Sequence, residues 1–314
     1  MAILTATIPD EMAGMRLDQV LSSVFSDYSR SKLQTWIKAG RVTVNGQSLK
    51  GRAKIDGGEQ ICLDAEPETI LTCEAENIPL SIIFEDDSLL IVNKPAGLVV
   101  HPGAGNWTGT LQNALLYHNS QLNVLPRAGI IHRIDKDTSG LLMVAKTLKA
   151  HHSLSDQLQA RTIEREYLAI ARGWMTAGGR VNEPIGRHPR DRIRYTVRDG
   201  GKEAVTHYRL VQRFERHSFI RVKLETGRTH QIRVHMEHLH YPLVGDPLYG
   251  GNFRLPANCC ENLEKQLRAF KRQALHAVKL GLIHPVTNDY MEWEQALPDD
   301  MQALLDALTE NEQP

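Results

Sequence analysis

AGIIHRIDKDTSGLLMVAKT, residues 128–147, decides how this chain is read. Two apolar runs flank a charged cluster made of His132, Arg133, Asp135 and Asp137. Such runs read as two buried strands, or as a strand and a helix. The cluster is then a charged turn delivered from a rigid apolar scaffold, which is where a catalytic group is commonly held. Buried carboxylates need paired charges to stay ionised, and the turn supplies candidates of both signs. A salt-bridged turn without chemistry is the plain alternative.

Outward from this segment, IIFEDDSLLIVNKP (82–95) gives two apolar, β-branched-rich runs around an acidic turn. YLAIARGWM (167–175), AVTHYRLVQRF (204–214) and SFIRVKLE (218–225) also read as strands. HHSLSDQLQAR (151–161) and ENLEKQLRAFKRQALH (261–276) have helical spacing. Strands and helices do not alternate as βαβ units, so the fold class is α+β. HPGAGNWTGT (101–110) is neither GxGxxG nor a phosphate loop with GK[ST], which removes nucleotide-cofactor readings and leaves a surface turn.

Towards the N-terminus the pattern is different. Leu17, Val20, Leu21 and Val24, then Leu33, Trp36 and Ile37, recur at the spacing of two short amphipathic helices. Asp27 or Ser29 is the expected N-cap between them. RVTVNGQSL (41–49) alternates around Asn45-Gly46, a dipeptide that favours a tight two-residue hairpin. DAEPETILTCEAEN (64–77) is acidic and aperiodic, like a linker or edge strand, and the domain boundary is placed there.

The 314 residues suit two domains, and a 41% hydrophobic content is ample for their cores. No apolar run reaches the length of a membrane span, and MAILTATIPDEMAG lacks a secretory pattern, so a cytoplasmic protein is expected. Four cysteines at 62, 73, 259 and 260 fit neither a disulfide framework nor a CxxC metal knuckle. Net charge is zero, yet residues 16–60 carry eight Lys or Arg against four Asp or Glu, and residues 161–233 carry seventeen against eight. Two basic surfaces separated by acidic sequence suit a polyanionic ligand.

HRIDKDTSG (132–140) resembles the HRLDxxTSG motif of the pseudouridine synthases typified by enzymes of the large ribosomal subunit. EREYLAIARG (164–173) and LETGRTHQIRVHMEHLHYPLVGDPLYG (224–250) resemble two further stretches of that family, in the expected order. Residues 16–46 resemble the S4 RNA-binding module that precedes the catalytic domain in some members. The one departure in the first motif is Ile134 for Leu, an apolar exchange of equal volume that should cost little. The resemblance implies an S4-like domain over residues 16–76 and a catalytic domain over residues 82–306, the latter with a central mixed, mostly antiparallel sheet flanked by helices.

It also implies the activity: isomerisation of uridine to pseudouridine in 23S ribosomal RNA, within the helix 69 stem-loop. The family's catalytic aspartate falls on Asp135, its base-displacing arginine on Arg133, its active-site tyrosine on Tyr167, and its third-motif basic residue on Arg233. The uracil leaves through N1, turns, and rejoins the same sugar carbon through C5. Asp135 serves either as nucleophile at the sugar or as the base that takes a sugar proton; the sequence does not choose. Arg233 beside it would hold its charge and orientation. Tyr167 would stack on the flipped base, with a core aromatic as the plain reading, and Arg133 would fill the vacated space. Asp137 is expected to cap the DTSG turn rather than act in catalysis.

Arg16, Arg30, Lys32, Lys38 and Arg41 are candidate phosphate contacts in the first module, joined by His132 and Arg228 in the second. His230, His235, His238 and His240 crowd one segment, but no carboxylate or thiol ligand accompanies them at a standard spacing, so a metal site is not expected. No cofactor is expected either; the resemblance implies 23S rRNA or the large subunit as partner, and a monomer is expected. The rivals are a non-catalytic RNA-binding or ribosome-assembly factor, a synthase acting on tRNA, and a carboxylate-and-histidine hydrolase.

Overall fold

The computed structural model describes all residues except 1, 26–27, 29, 66–72, 104, 253–254, 257–258 and 313–314. The chain divides into two compact units, Met1–Thr72 and Cys73–Pro314.

In the first unit the order is β1 (Ala2–Thr7), α1 (Leu17–Val24), α2 (Arg30–Lys38), β2 (Val42–Val44) and β3 (Gln60–Ala65). The apolar spacing does what it implies: Leu17, Val20, Leu21, Leu33, Trp36 and Ile37 are all buried in one core. Asp27 and Ser29, the expected caps, lie outside the described residues. Asn45 and Gly46 both take positive φ, at 49° and 80°, and Val44 and Gln47 exchange two backbone hydrogen bonds across the turn. The hairpin ends there, contrary to expectation. Residues 48–59 hold no strand, and β2 pairs instead with β3, the central strand of the order β1-β3-β2. The reason is core burial: Ile61 and Leu63 of β3 are buried with Val42 and Val44, whereas Ser48, Lys50 and Arg52 offer no matching apolar face. The acidic stretch therefore begins inside a central strand, with Asp64 and Ala65 paired to Ile3 and Ala2.

The second unit runs β4 (Ile82–Glu85), β5 (Leu89–Lys94), α3 (Leu111–His118), β6 (Ser139–Ala145), α4 (Leu148–Gln159) and β7 (Glu164–Arg172). It continues with β8 (Gly179–Asn182), β9 (Ile185–Arg187), β10 (Tyr195–Val197), β11 (Val205–Arg213), β12 (His217–Leu224) and α5 (Gln231–His238). α6 (Glu261–Ala269), β13 (Leu275–Ile283), β14 (Tyr290–Glu294) and α7 (Asp299–Asn311) complete it. One sheet has the order β4-β5-β6-β13-β7-β12-β11-β8, with β14 on β13. Its pairs are antiparallel except β6 with β13, so the expected mixed, mostly antiparallel α+β architecture is observed.

β6 is buried along its whole length because both faces are covered. Leu142 and Val144 point into a core shared with α3 and α5, while Leu141, Met143 and Ala145 meet Ala150 and Leu154 of α4. Gly140 opens the strand at φ 115°, and a Cβ there would collide with the Ala277 carbonyl oxygen of β13. Only glycine fits this close approach.

Two expectations are corrected. AGII is neither strand nor helix: it leaves a short 3-10 turn and touches β6 through a single bridge, Ile130 to Val144. The helical spacing of residues 261–276 continues only to Ala269; Phe270 is extended, and Leu275 onward joins the sheet between β6 and β7. Burial on both faces of the sheet overrides local spacing.

Four histidines, His217 and His276 buried and His101 and His132 half-buried, set an acid limit. Burial first, with Arg127 and Arg133 adding to it at His101, Arg165 at His132, Arg172 at His217 and Arg272 at His276, pushes His101, His217 and His276 down to about 4 and His132 to about 3. In the unfolded chain these rings take up protons near pH ~6.5, whereas the folded chain keeps them neutral. Their stabilisation is thus complete above that pH and lost as pH falls towards 4. Thermal denaturation should show Tm dropping by several degrees between about pH 7 and about pH 5, above the carboxylate range, with a smaller drop in His276→Gln.

Candidate active site

Three elements converge on one cleft. The loop before β6 brings Arg133, Ile134 and Asp135, β7 brings Arg165 and Tyr167, and α5 with its preceding turn brings Arg228, His230 and Arg233. Arg165 and Tyr167 are two apart on a strand and so face the same side.

Asp135 is one-fifth exposed, and its Oδ2 accepts Nη1 of Arg233 at 2.9 Å. Arg233 is buried in the first turn of α5 and is claimed from its other side by Asp246, whose two oxygens accept Nε at 2.7 Å and Nη2 at 2.9 Å. Asp246 is itself fully buried and fixed by the backbone N–H groups of Leu248 and Tyr249. Burial alone would depress the Arg233 pKa, but the Asp246 contacts and then Asp135 outweigh it and raise it. The ring of Tyr249 lies under the guanidinium at 5.0 Å, leaving Arg233 one geometry.

The rest of the cleft is graded from dry to wet. Tyr167 is 6% exposed and its hydroxyl pKa is raised by burial. His230 adopts left-handed backbone at the N-cap of α5; its Nδ1 meets the Tyr249 hydroxyl at 2.8 Å and its Nε2 stands 4.0 Å from Asp135. Burial lowers its pKa, with Asp135 opposing. Arg133 is exposed at the rim.

The loop carrying Asp135 is pinned by Lys94, whose fully buried Nζ donates to the carbonyls of Pro95, Leu98 and Lys136 at 2.7–2.9 Å. Burial pulls this ammonium down to about 7, against the pull of Asp137 and Asp135. Three acceptors require three protons on nitrogen, which favours the charged form. No side-chain cap from Asp137 is present among the described residues; its carbonyl accepts Nη1 of Arg272 instead.

The sequence singled out Asp135, Tyr167, Arg233, Arg133 and Arg228, and the fold gathers all five. Arg228 also donates Nε to the Glu203 carbonyl at 2.9 Å. His132 turns inward: its Nε2 accepts the Met143 amide at 3.3 Å, and burial lowers its pKa to about 3. Of the histidine-rich segment, His235 is buried between Thr206 Oγ1 and the Glu183 carbonyl. Among the described residues no three His, Cys, Asp or Glu gather as metal ligands. Asp246 and Lys94 went unread, though a lone Asp in LVGDPLYG and a lone Lys after LLIVN are charges in apolar company that need partners.

In the first unit, Arg16 is drawn to buried Asp18 by two 3.0 Å contacts. Arg16 and Lys38 line a groove together with Lys50 and Arg52, which were not singled out. Arg30 is exposed at the start of α2, Arg41 sits 3.6 Å from Asp64, and the side chain of Lys32 lies outside the described residues.

The model for RNA pseudouridylate synthase matches residues 88–238, and that for the S4 domain matches residues 15–61. Proteins named ribosomal large subunit pseudouridine synthase D are 53% identical in Salmonella typhimurium, over 97% of this chain and 94% of the relative. The Pseudomonas aeruginosa protein of that name is 53% identical over 98% and 96%, and that of Escherichia coli 52% over 97% and 94%. The chain belongs to the RNA pseudouridylate synthase family. It is an RNA pseudouridine synthase with an S4 domain at its N-terminus. The solved human RNA pseudouridylate synthase domain containing 4 shares the fold, with TM-score 0.58 and 25% identity over 73% of this chain and 93% of that one.

Because Asp246 fixes Arg233, this synthase should suffer when that carboxylate is neutralised without change of shape. Asp246→Asn should lower the single-turnover rate about 10²-fold while RNA affinity, measured by filter binding, stays within about threefold.

Proposed function

We propose that the protein converts uridines of large-subunit ribosomal RNA to pseudouridine, in the helix 69 stem-loop of 23S rRNA, as a cytoplasmic monomer without cofactor. The single observation that carries the active-site reading is the Asp135–Arg233–Asp246 chain at the floor of the cleft. It holds one carboxylate at a fixed point in a site with a dry wall. The names of the relatives support the RNA, since the matches run nearly the full length of both chains. No helix among the described residues is long and apolar enough to cross a membrane.

In this scheme the target base is rotated out of its stem, Arg133 at the rim takes the vacated space, and the base lies against Tyr167. Asp135 acts on the ribose, at the sugar carbon or at the proton beside it. The C1′–N1 bond breaks with both electrons kept by uracil, the base turns, C5 bonds to C1′, and the C5 proton leaves while N1 regains one. Nothing is added or lost, so a single carboxylate suffices where a retaining glycosidase uses two. Arg16, Arg30, Lys32, Lys38 and Arg41 contact phosphates, giving affinity that falls with salt.

Tritium release from 23S rRNA labelled at uridine C5 tests this. Wild type should release label stoichiometrically with carbodiimide-dependent primer-extension stops in the helix 69 loop, and Asp135→Asn should give background. Release with stops elsewhere would move the target; no release from 23S or transfer RNA would favour the binding-factor reading.

A further inference from the structure

The cleft holds a second buried cation that the scheme above leaves idle. Arg165 is 6% exposed and lines the same cleft as Asp135 and Tyr167. Among the described residues no carboxylate pairs with it. Its Nη2 donates to the Glu225 carbonyl at 3.2 Å, and among the described residues its buried Nε has no partner and Nη1 makes no hydrogen bond. The titratable groups that interact with it are the neutral ring of His132 and the phenol of Tyr167. Burying a guanidinium without a counter-charge is costly, and such a charge persists where a ligand supplies its partner. The surroundings are also cut to admit it: a Cβ on Gly227 would stand 2.9 Å from Nη1.

The reaction generates one transient anion inside the cleft. When the C1′–N1 bond breaks, the electron pair stays on uracil, and the negative charge spreads from N1 to O2 and O4. Arg233 is unable to meet it, being shared between Asp135 and Asp246, so that this trio carries a net negative charge already. Arg133 is exposed at the rim, where charge is screened. Arg165 lies two residues from Tyr167 on the same face of β7, beside whatever stacks on that ring. We propose that Arg165 is a further catalytic residue, a fixed cation that meets the carbonyl edge of the detached uracil and stabilises its negative charge until C5 rejoins the sugar. It neither gives nor takes a proton. The role is the same whether Asp135 attacks the sugar or removes its proton, since both routes release the base as an anion.

This rests on the placement of uracil over Tyr167 in the proposed reaction. The test is a single-turnover comparison of wild type, Arg165→Met and Arg165→Lys on saturating RNA, with binding measured in parallel. Two substrates are used, one with uridine and one with 5-fluorouridine at the target, whose more acidic base is the better leaving group; loss of the target nucleoside is read by chromatography after digestion. Arg165→Met should react about 10²- to 10³-fold more slowly on uridine at unchanged affinity, with the deficit at least about tenfold smaller on 5-fluorouridine. Arg165→Lys, which keeps the charge, should fall between Met and wild type, and serves for the same substrate comparison if the Met variant does not fold. Weaker RNA binding with an unchanged rate would assign Arg165 to phosphate and overturn the proposal. An equal deficit on both substrates would overturn it too, by making Arg165 a structural support. Inactive wild type, or active Asp135→Asn, would instead defeat the reading of the site on which it rests.

Discussion

Arg233 is the constraint on which the second unit's chemistry depends. A guanidinium has donors on three nitrogens in one plane, and here two of its edges are taken by two aspartates on different loops. Buried charges of opposite sign are stable only when each is fully engaged; removing one strands the others in a medium that solvates them poorly. The position of Asp135 is therefore set by Asp246, a residue more than a hundred positions away, through an arginine on a third element.

The sheet makes this possible. β6 and β13 run parallel and close, with Gly140 admitting the approach, so the loop entering β6 emerges at a fixed height beside β7. Lys94 then ties that loop by its Lys136 carbonyl to the end of β5. α5 rests on the same face through Ile232 and Met236, in the core that also holds Tyr167. Strand and helix are held by apolar packing, and only the last few ångströms are set by polar contacts. Precision at a site comes from that division of labour.

Much of this was legible. The motif-bearing segments carried their side chains to one cleft because strand alternation and the i, i+3 order of α5 leave each residue few directions to point. What escaped the sequence did so for physical reasons. The partner of Asn45-Gly46's first strand was distant, and pairing distance leaves no local trace. The spacing of residues 261–276 suits a helix, yet the fold spends its second half as a strand buried between β6 and β7. His132 lies in the charged cluster but turns towards the Met143 amide, because a loop beside β6 must satisfy the donors on that edge. Lys94 and Asp246 announced themselves only as charges in apolar surroundings, without saying whom they meet.

The most direct test of the central claim is a double-mutant cycle between Asp246→Asn and Arg233→Lys, read in the single-turnover rate on helix 69 RNA. If Asp246 acts only by fixing Arg233, the double variant should be no slower than the slower single variant, a strong departure from additivity. Independent losses that multiply would contradict the account, since Asp246 would then act on the reaction by a route that does not pass through Arg233.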